Sequence, residues 1–180
     1  MNFPVTSLLR RSSLTRAVAT FGVVATLLSA ALPVDAQNHG APIEMLNYDG
    51  RFASAPGDMP EPVQKLVEAA NGLQNKPYIW GGGHRFLNDR GYDCSGSVSY
   101  VLYKAGLIQG PLTARQFHEY GAPGPGHFIT LFVKDDHVFI AVCGLRFDTS
   151  DHGANRGKGP KWRPTARTFA GFEVRHIPGL

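Results

Sequence analysis

The stretch from Gly91 to Gly106, GYDCSGSVSYVLYKAG, constrains this chain more than any other. Val98, Val101, Leu102 and Ala105 recur at helical spacing on one face, and Gly106 supplies the residue with which a helix leaves into the left-handed region. Asp93 is a good capping residue immediately before Cys94, so the pattern predicts a helix with Cys94 in its first turn. The unpaired N–H groups and partial positive charge of a helix start favour an anion there, and a thiol so placed ionises readily and becomes a nucleophile. Ser95, Gly96 and Ser97 keep the surroundings small enough for a substrate to approach. A cysteine beside an amphipathic helix is also an ordinary small core residue, so this stretch alone leaves both readings open.

The 180-residue chain has room for one domain with one core, and residues 1–36 are set apart from it. Arg10, Arg11 and Arg16 precede a 16-residue apolar run, Ala17–Leu32, and Val34-Asp35-Ala36 ends in the small-x-small pattern of a signal-peptide cut. The run is short for a membrane span, so the reading is a secreted or periplasmic protein, cut near Ala36, with no stable membrane anchor. An uncleaved anchor is the alternative, and Arg10-Arg11 hints at twin-arginine export, against which Ser13 stands where a bulky aromatic is preferred. Losing three Arg and one Asp lowers the formal charge from +4 to +2. The remaining Lys and Arg are scattered, with no basic helix to suggest nucleic-acid binding.

Residues 37–57 read as a polar linker or loosely packed arm. From Asp58 to Leu73, Val63, Leu66, Val67, Ala70 and Leu73 mark an amphipathic helix with Pro60 and Pro62 confined to its first turn. Gly81, Gly82 and Gly83 lack the Lys-Ser or Lys-Thr pair of a phosphate loop. After the Cys94 helix come a short helical candidate, Thr113–Tyr120, and a Pro/Gly loop at 121–126. Then follow strands at His127–Val133, His137–Cys143 and Arg146–Thr149, and a later one at Glu173–Ile177. Trp162 falls in a Gly-rich basic loop, Asp151–Arg167. Helices first and a small antiparallel sheet after is an α+β order.

Two further segments carry a resemblance. Pro77–His84, PYIWGGGH, followed by DCSG opening a helix, resembles the NlpC family of papain-like cysteine peptidases over roughly residues 60–180. The resemblance implies a domain spanning 58–180 in which the cysteine-bearing helix packs on an antiparallel sheet, cleavage of bacterial cell-wall stem peptides, no cofactor, and action as a monomer.

A cysteine nucleophile needs a base matched to neutral pH, and seven histidines compete for that role. His127 and His137 both open predicted strands, and spacing does not separate them. The resemblance selects His137, although Asp136 and Phe139 stand where family members usually have Gly. Asp148, across the turn at Gly144 on the adjoining strand, is the candidate to orient the imidazole, with a strand-end partner of Arg146 or Thr149 as its ordinary explanation. The resemblance further implies that Tyr78, Asp93 and Ser95 line the stem-peptide pocket, while Trp80 is expected in the core. Backbone N–H at the helix start would hold the oxyanion.

Cys94 and Cys143 invite a disulfide in an exported protein, and a permanent bridge excludes a nucleophilic Cys94. Two thiols is the preferred reading. No metal is expected, because His84, Cys94 and His137 lack the short paired spacings of zinc ligands. Three activities remain: a peptidase, an inactive wall-binding module on the same fold, and an amidase or acyltransferase using the same site.

Overall fold

The computed structural model describes residues 45–150, 159–164 and 167–180. The expected signal segment, residues 37–44 of the arm, His39 and His152 lie outside the described residues. The arm's remainder does not hang loose. Residues Asn47–Tyr48 (β1) pair antiparallel with Ala53–Ser54 (β2), and Leu46 and Ala53 are buried. Asn71 accepts from Ala53 N at 3.0 Å and donates to Ala53 O at 2.7 Å, tying this hairpin to the helix behind it. Polar composition hid the segment because one helix side chain, rather than an apolar period, holds it.

That helix, α1, spans Glu61–Gly72, capped by Pro60 with Pro62 in the first turn, where the missing N–H costs nothing. Its apolar stripe, Val63, Leu66, Val67 and Ala70, is buried. Each of the larger side chains so placed stabilises by about 1.5–3 kcal/mol. The second helix, α2, spans Cys94–Lys104 and buries Val98, Val101 and Leu102 on the same core. Gly106 follows at φ +75°, as its place past the helix end requires.

A 3₁₀ turn, Arg115–Glu119, leads into a six-stranded antiparallel sheet: β3 (Ala122–Pro123), β4 (Ile129–Lys134), β5 (His137–Val142), β6 (Leu145–Asp148), β7 (Lys161–Arg163) and β8 (Glu173–His176). The order across the sheet is β3-β8-β4-β5-β6-β7. So β8 returns beside β4, and Trp162, expected in a loop, lies in an edge strand opposite Phe147. Gln74 and Asn71 accept from its backbone and indole N–H at 3.1 and 2.8 Å, which supplies the strand with partners from α1 and the turn after it.

Cys143 and Gly144 form the two-residue β5–β6 turn, both with positive φ, +47° and +82°, the geometry that matches strand twist in tight hairpins. His127 stands before β4 rather than in it.

Alternation gives the central strands two different faces. Ile129, Leu131, Val133, Val138, Ile140, Val142 and Phe147 are fully buried in the core shared with α1 and α2. The opposite face carries Phe132, stacked on Phe139 at 4.7 Å, with Phe169 and Phe172 over them at 4.5 and 5.1 Å. His137 shares its face of β5 with Phe139, while Arg146 and Asp148 share theirs on the adjoining strand. The expected α+β arrangement, a cysteine-bearing helix against an antiparallel sheet, is the one observed.

Candidate active site

Asp93 caps α2. Its Oδ1 accepts from Gly96 N at 2.7 Å and its Oδ2 from Gly81 N at 3.0 Å, so one carboxylate fastens both the helix start and the preceding loop. Ser95 Oγ and His84 Nε2 lie 3.2 and 3.1 Å from Oδ1. Burial pushes the Asp93 pKa up, but these hydrogen bonds outweigh it and hold the carboxyl below its usual range. His84, seen in the sequence only as a loop residue, is raised by its bond to Asp93 against the opposing effect of burial.

The glycines of WGG and DCSG have a steric reason. A Cβ on Gly96 would stand 2.0 Å from Gly82 O, and one on Gly82 would stand 2.3 Å from Gly91 O. Loop and helix backbones touch there, with Asp93 N donating to Gly82 O at 3.2 Å. Gly96→Ala is expected to pry them apart and destabilise the protein by about 1–3 kcal/mol, the range of overpacked sites, as a lower urea midpoint would show. An unchanged midpoint would refute this close approach.

The same turn corrects the expectation for Trp80, which is 84% exposed. Gly82 N bonds back to Ile79 O at 2.9 Å, and the glycine backbone occupies the space against α2, leaving the indole outside.

Cys94 opens α2 and is 7% exposed, with Sγ 3.9 Å from Asp136 O in the β4–β5 turn. The helix start therefore abuts the hairpin end from which His137 projects. The ring's Nε2 donates to Asp148 Oδ1 at 2.9 Å, leaving Nδ1 for the thiol side, and Cys94 is near enough to act on the charge of the ring. Burial pushes the imidazole pKa down, but the bond to Asp148 and the negative charges of Asp148 and Cys94 outweigh it and hold the value at about 9. The structure thus brings Cys94, His137 and Asp148 together.

Asp148 is held by more than the imidazole. Its side chain is fully buried, and Oδ2 accepts from Arg146 Nη1 at 2.6 Å and Arg167 Nη1 at 2.7 Å, while Oδ1 also accepts from Ser150 N at 3.0 Å. Burial opposes ionisation, yet His137, Ser150 and Arg167 keep the carboxyl far below the ordinary range. The sequence suggested Arg146 as a partner. Ser150 and Arg167 were missed, since neither falls at a spacing that carries chemistry.

Because the imidazole is raised from 6.5 to about 9, its contribution to stability is complete below about pH 6.5 and is lost as pH climbs through about 9. The stability gap between wild type and His137→Gln, from urea unfolding, is expected to narrow over that window. A gap that widens toward alkaline pH would contradict the raised value.

Tyr78 forms a bridge to Tyr92 beside the cap, and burial, then the charges of Cys94 and Asp93, raise its phenol. Asp93 and Ser95 are nearly buried, at 7% and 6% exposure, and most of the carboxylate's capacity is committed to the cap.

The other described histidines lie elsewhere: His118 bonds Glu173, His176 bonds Gly124 O, and His127 sits at the far end of β4. Cys143 does not bridge to Cys94, and its Sγ lies 3.9 Å from Met59 Sδ. Among the described residues no group of three metal-ligating side chains converges, and no helix is long and apolar enough to cross a membrane.

No protein-family profile matches the chain, and no curated protein matches it. Solved structures do. The peptidoglycan hydrolase RipB from Mycobacterium tuberculosis is 22% identical with a TM-score of 0.48, over 64% of each chain. NlpC1 from Trichomonas vaginalis is 17% identical at 0.48, over 69% of this chain and 46% of that one. A lipoprotein-like member of the NLP/P60 family from Staphylococcus aureus is 20% identical at 0.42, over 73% and 45%. The chain spans less than two thirds of the length of each. What the site can do rests on its own side chains.

Proposed function

We propose that the chain is an NlpC-type, papain-like cysteine peptidase, exported to the periplasm or beyond, that hydrolyses an amide bond in peptidoglycan stem peptides. The observation that carries this reading is the meeting of Cys94, at a helix start and against Asp136 of the β4–β5 turn, with the neighbouring His137, whose Nε2 lies 2.9 Å from the buried Asp148 carboxylate.

The chemistry follows from that meeting. Asp148 holds Nε2–H, which fixes the tautomer and orientation of the ring, and Nδ1 takes the proton of Cys94. The thiolate attacks the amide carbonyl, forming the C–S bond. Charge on the carbonyl oxygen is met by N–H groups at the α2 start, including that of Cys94. The imidazolium then protonates the leaving nitrogen as the C–N bond breaks, leaving a thioester. Water, deprotonated by His137, attacks the thioester and releases Cys94 as thiolate. No metal or cofactor is needed for either half.

Tyr78, Asp93 and Ser95 flank the thiol on the side where the stem peptide would lie. A substrate ammonium group entering there competes with His84 for Asp93, which favours a free amine near the scissile bond.

The test is mass spectrometry of products released from purified stem peptides and from intact wall by the mature protein. A single cleaved amide, with incorporation of one oxygen from labelled water, is the expected result. Binding of wall fragments without cleavage would replace the peptidase with a binding module, and transfer to an added amine in place of water would make it an acyltransferase.

A further inference from the structure

Arg167 is the site residue that the mechanism above does not use. It lies far along the chain from Asp148 and just ahead of β8, yet its Nη1 reaches three members of the site. It donates to Asp148 Oδ2 at 2.7 Å and Ser150 Oγ at 2.9 Å, and stands 3.4 Å from His137 Nε2. Its guanidinium lies over the rings of Phe139 and Phe172, 4.8 and 5.1 Å from their centroids. Those rings belong to the aromatic layer on the outer face of the sheet, so the cation is held in place rather than extended into solvent. Its side chain is 13% exposed.

Two effects of this placement oppose one another at the imidazole. By pairing with Asp148, Arg167 keeps that carboxylate ionised and aimed at Nε2, which supports a charged ring. As a fixed positive charge 3.4 Å from Nε2, it disfavours the charged ring directly. Arg146 does the first of these from β6. Ser150 Oγ also reaches both Asp148 and His137, at 3.2 Å each, but as a neutral group, whereas Arg167 brings a full positive charge to the same place.

The remaining charged groups about the pair do not duplicate it. From the β4–β5 hairpin, Lys134 is opposite His137 in register but its Nζ rests over Phe172 at 4.3 Å, and Asp136 offers Cys94 its backbone carbonyl. From β7, Arg163 Nε donates to the backbone of Asp148 rather than to its carboxylate. On the α2 side, Tyr78 is beside the thiol, and Asp93 and His84 are paired with each other at the cap.

We infer that Arg167 is a positioning residue that sets the pH window in which Cys94 and His137 exist as a thiolate–imidazolium pair. Its charge lowers the alkaline edge of that window, where the imidazolium is lost. This inference rests on the site assignment made under the proposed function, and its test is separate from turnover.

The experiment is the rate of Cys94 alkylation by iodoacetate, an anion that the imidazolium draws to the sulfur, as a function of pH, read by mass spectrometry of the Cys94 peptide, in full-length mature protein. The wild-type rate should fall at an alkaline edge where the imidazolium is lost. In Arg167→Met that edge should move up by about one pH unit, a tenfold change in the dissociation constant. Arg167→Lys, which keeps the charge, should return it to within a few tenths. Arg167→Gln removes the charge but retains hydrogen bonding, and carries the same expectation as the Met variant should that one fail to fold by near-ultraviolet circular dichroism.

An edge unchanged in a folded Met or Gln variant would overturn the inference, as would a Lys variant displaced as far as the neutral ones, since packing alone would then explain the residue. A wild-type Cys94 that titrates as an ordinary thiol near about pH 8.5 would instead remove the ion pair itself, and with it both the proposed site and this role.

Discussion

Cys94→Ala is expected to eliminate stem-peptide hydrolysis, lowering kcat by about 10⁴-fold or more, because no other group can form the covalent intermediate. Cys94→Ser should fare no better, since a hydroxyl beside this imidazole lacks the acidity that lets a thiol transfer its proton before substrate arrives. The fold should survive either change. Cys94 is buried at the first position of α2, its sulfur makes one long contact with Asp136 O, and Asp93 rather than Cys94 caps the helix. Stability should therefore shift by less than about 1 kcal/mol, as for substitutions away from any strained or paired group. Wall fragments should still bind the alanine variant, which separates chemistry from recognition. Turnover that persists in Cys94→Ala, measured on the same stem peptide with mass-spectrometric product identification, would refute the nucleophile assignment outright.

Asp148→Asn carries the second large effect, on two observables at once. The amide cannot hold the imidazole in the same tautomer with a full negative charge, so kcat should fall by about 10²–10⁴-fold. Stability should fall too, because Arg146 and Arg167 lose the carboxylate on which both converge in a nearly dry environment. Removing one member of a buried ion network costs about 3–5 kcal/mol, more than the network itself contributes, since the desolvated charges remain behind. The sign of the pH dependence follows from the direction of the shift. Asp148 is held well below its ordinary 3.8, so its stabilising effect is present above that value and disappears as the solution is acidified below it. The gap between wild type and Asp148→Asn in urea unfolding should thus be widest near about pH 7 and close toward about pH 2 to 3. A gap independent of pH would mean that shape, not charge, accounts for the loss.

These two predictions rest on residues that the chain itself made visible, and the reason is local. Val63 to Leu73 and Val98 to Ala105 write their periods within a few turns, Asp93 precedes the helix it caps, and the β5–β6 hairpin places Asp148 near His137 through a two-residue turn. Where the reading went astray, the deciding contacts were remote. Trp80 was expected inside because it is large and apolar. The touching of Gly82 and Gly96 backbones, invisible in composition, turned it out. The arm at 45–57 and the strand at Trp162 are fastened by Asn71 of α1 and Gln74 just past its end, single polar side chains that leave no periodic trace.

The sequence by itself determined the α+β order, the nucleophile's place at a helix start, and the small set of groups able to serve it, because propensity, capping and alternation act between neighbours in the chain. Tertiary structure alone set His137 against Asp148, tied Asp93 to His84 and Gly81 as well as to the helix it caps, and closed Arg167 and Ser150 around Asp148 beside Arg146. Those choices depend on which strand ends meet and on how many charges share one buried carboxylate. Electrostatic energy in a desolvated site is set by distances across the fold, and spacing along the chain does not encode them.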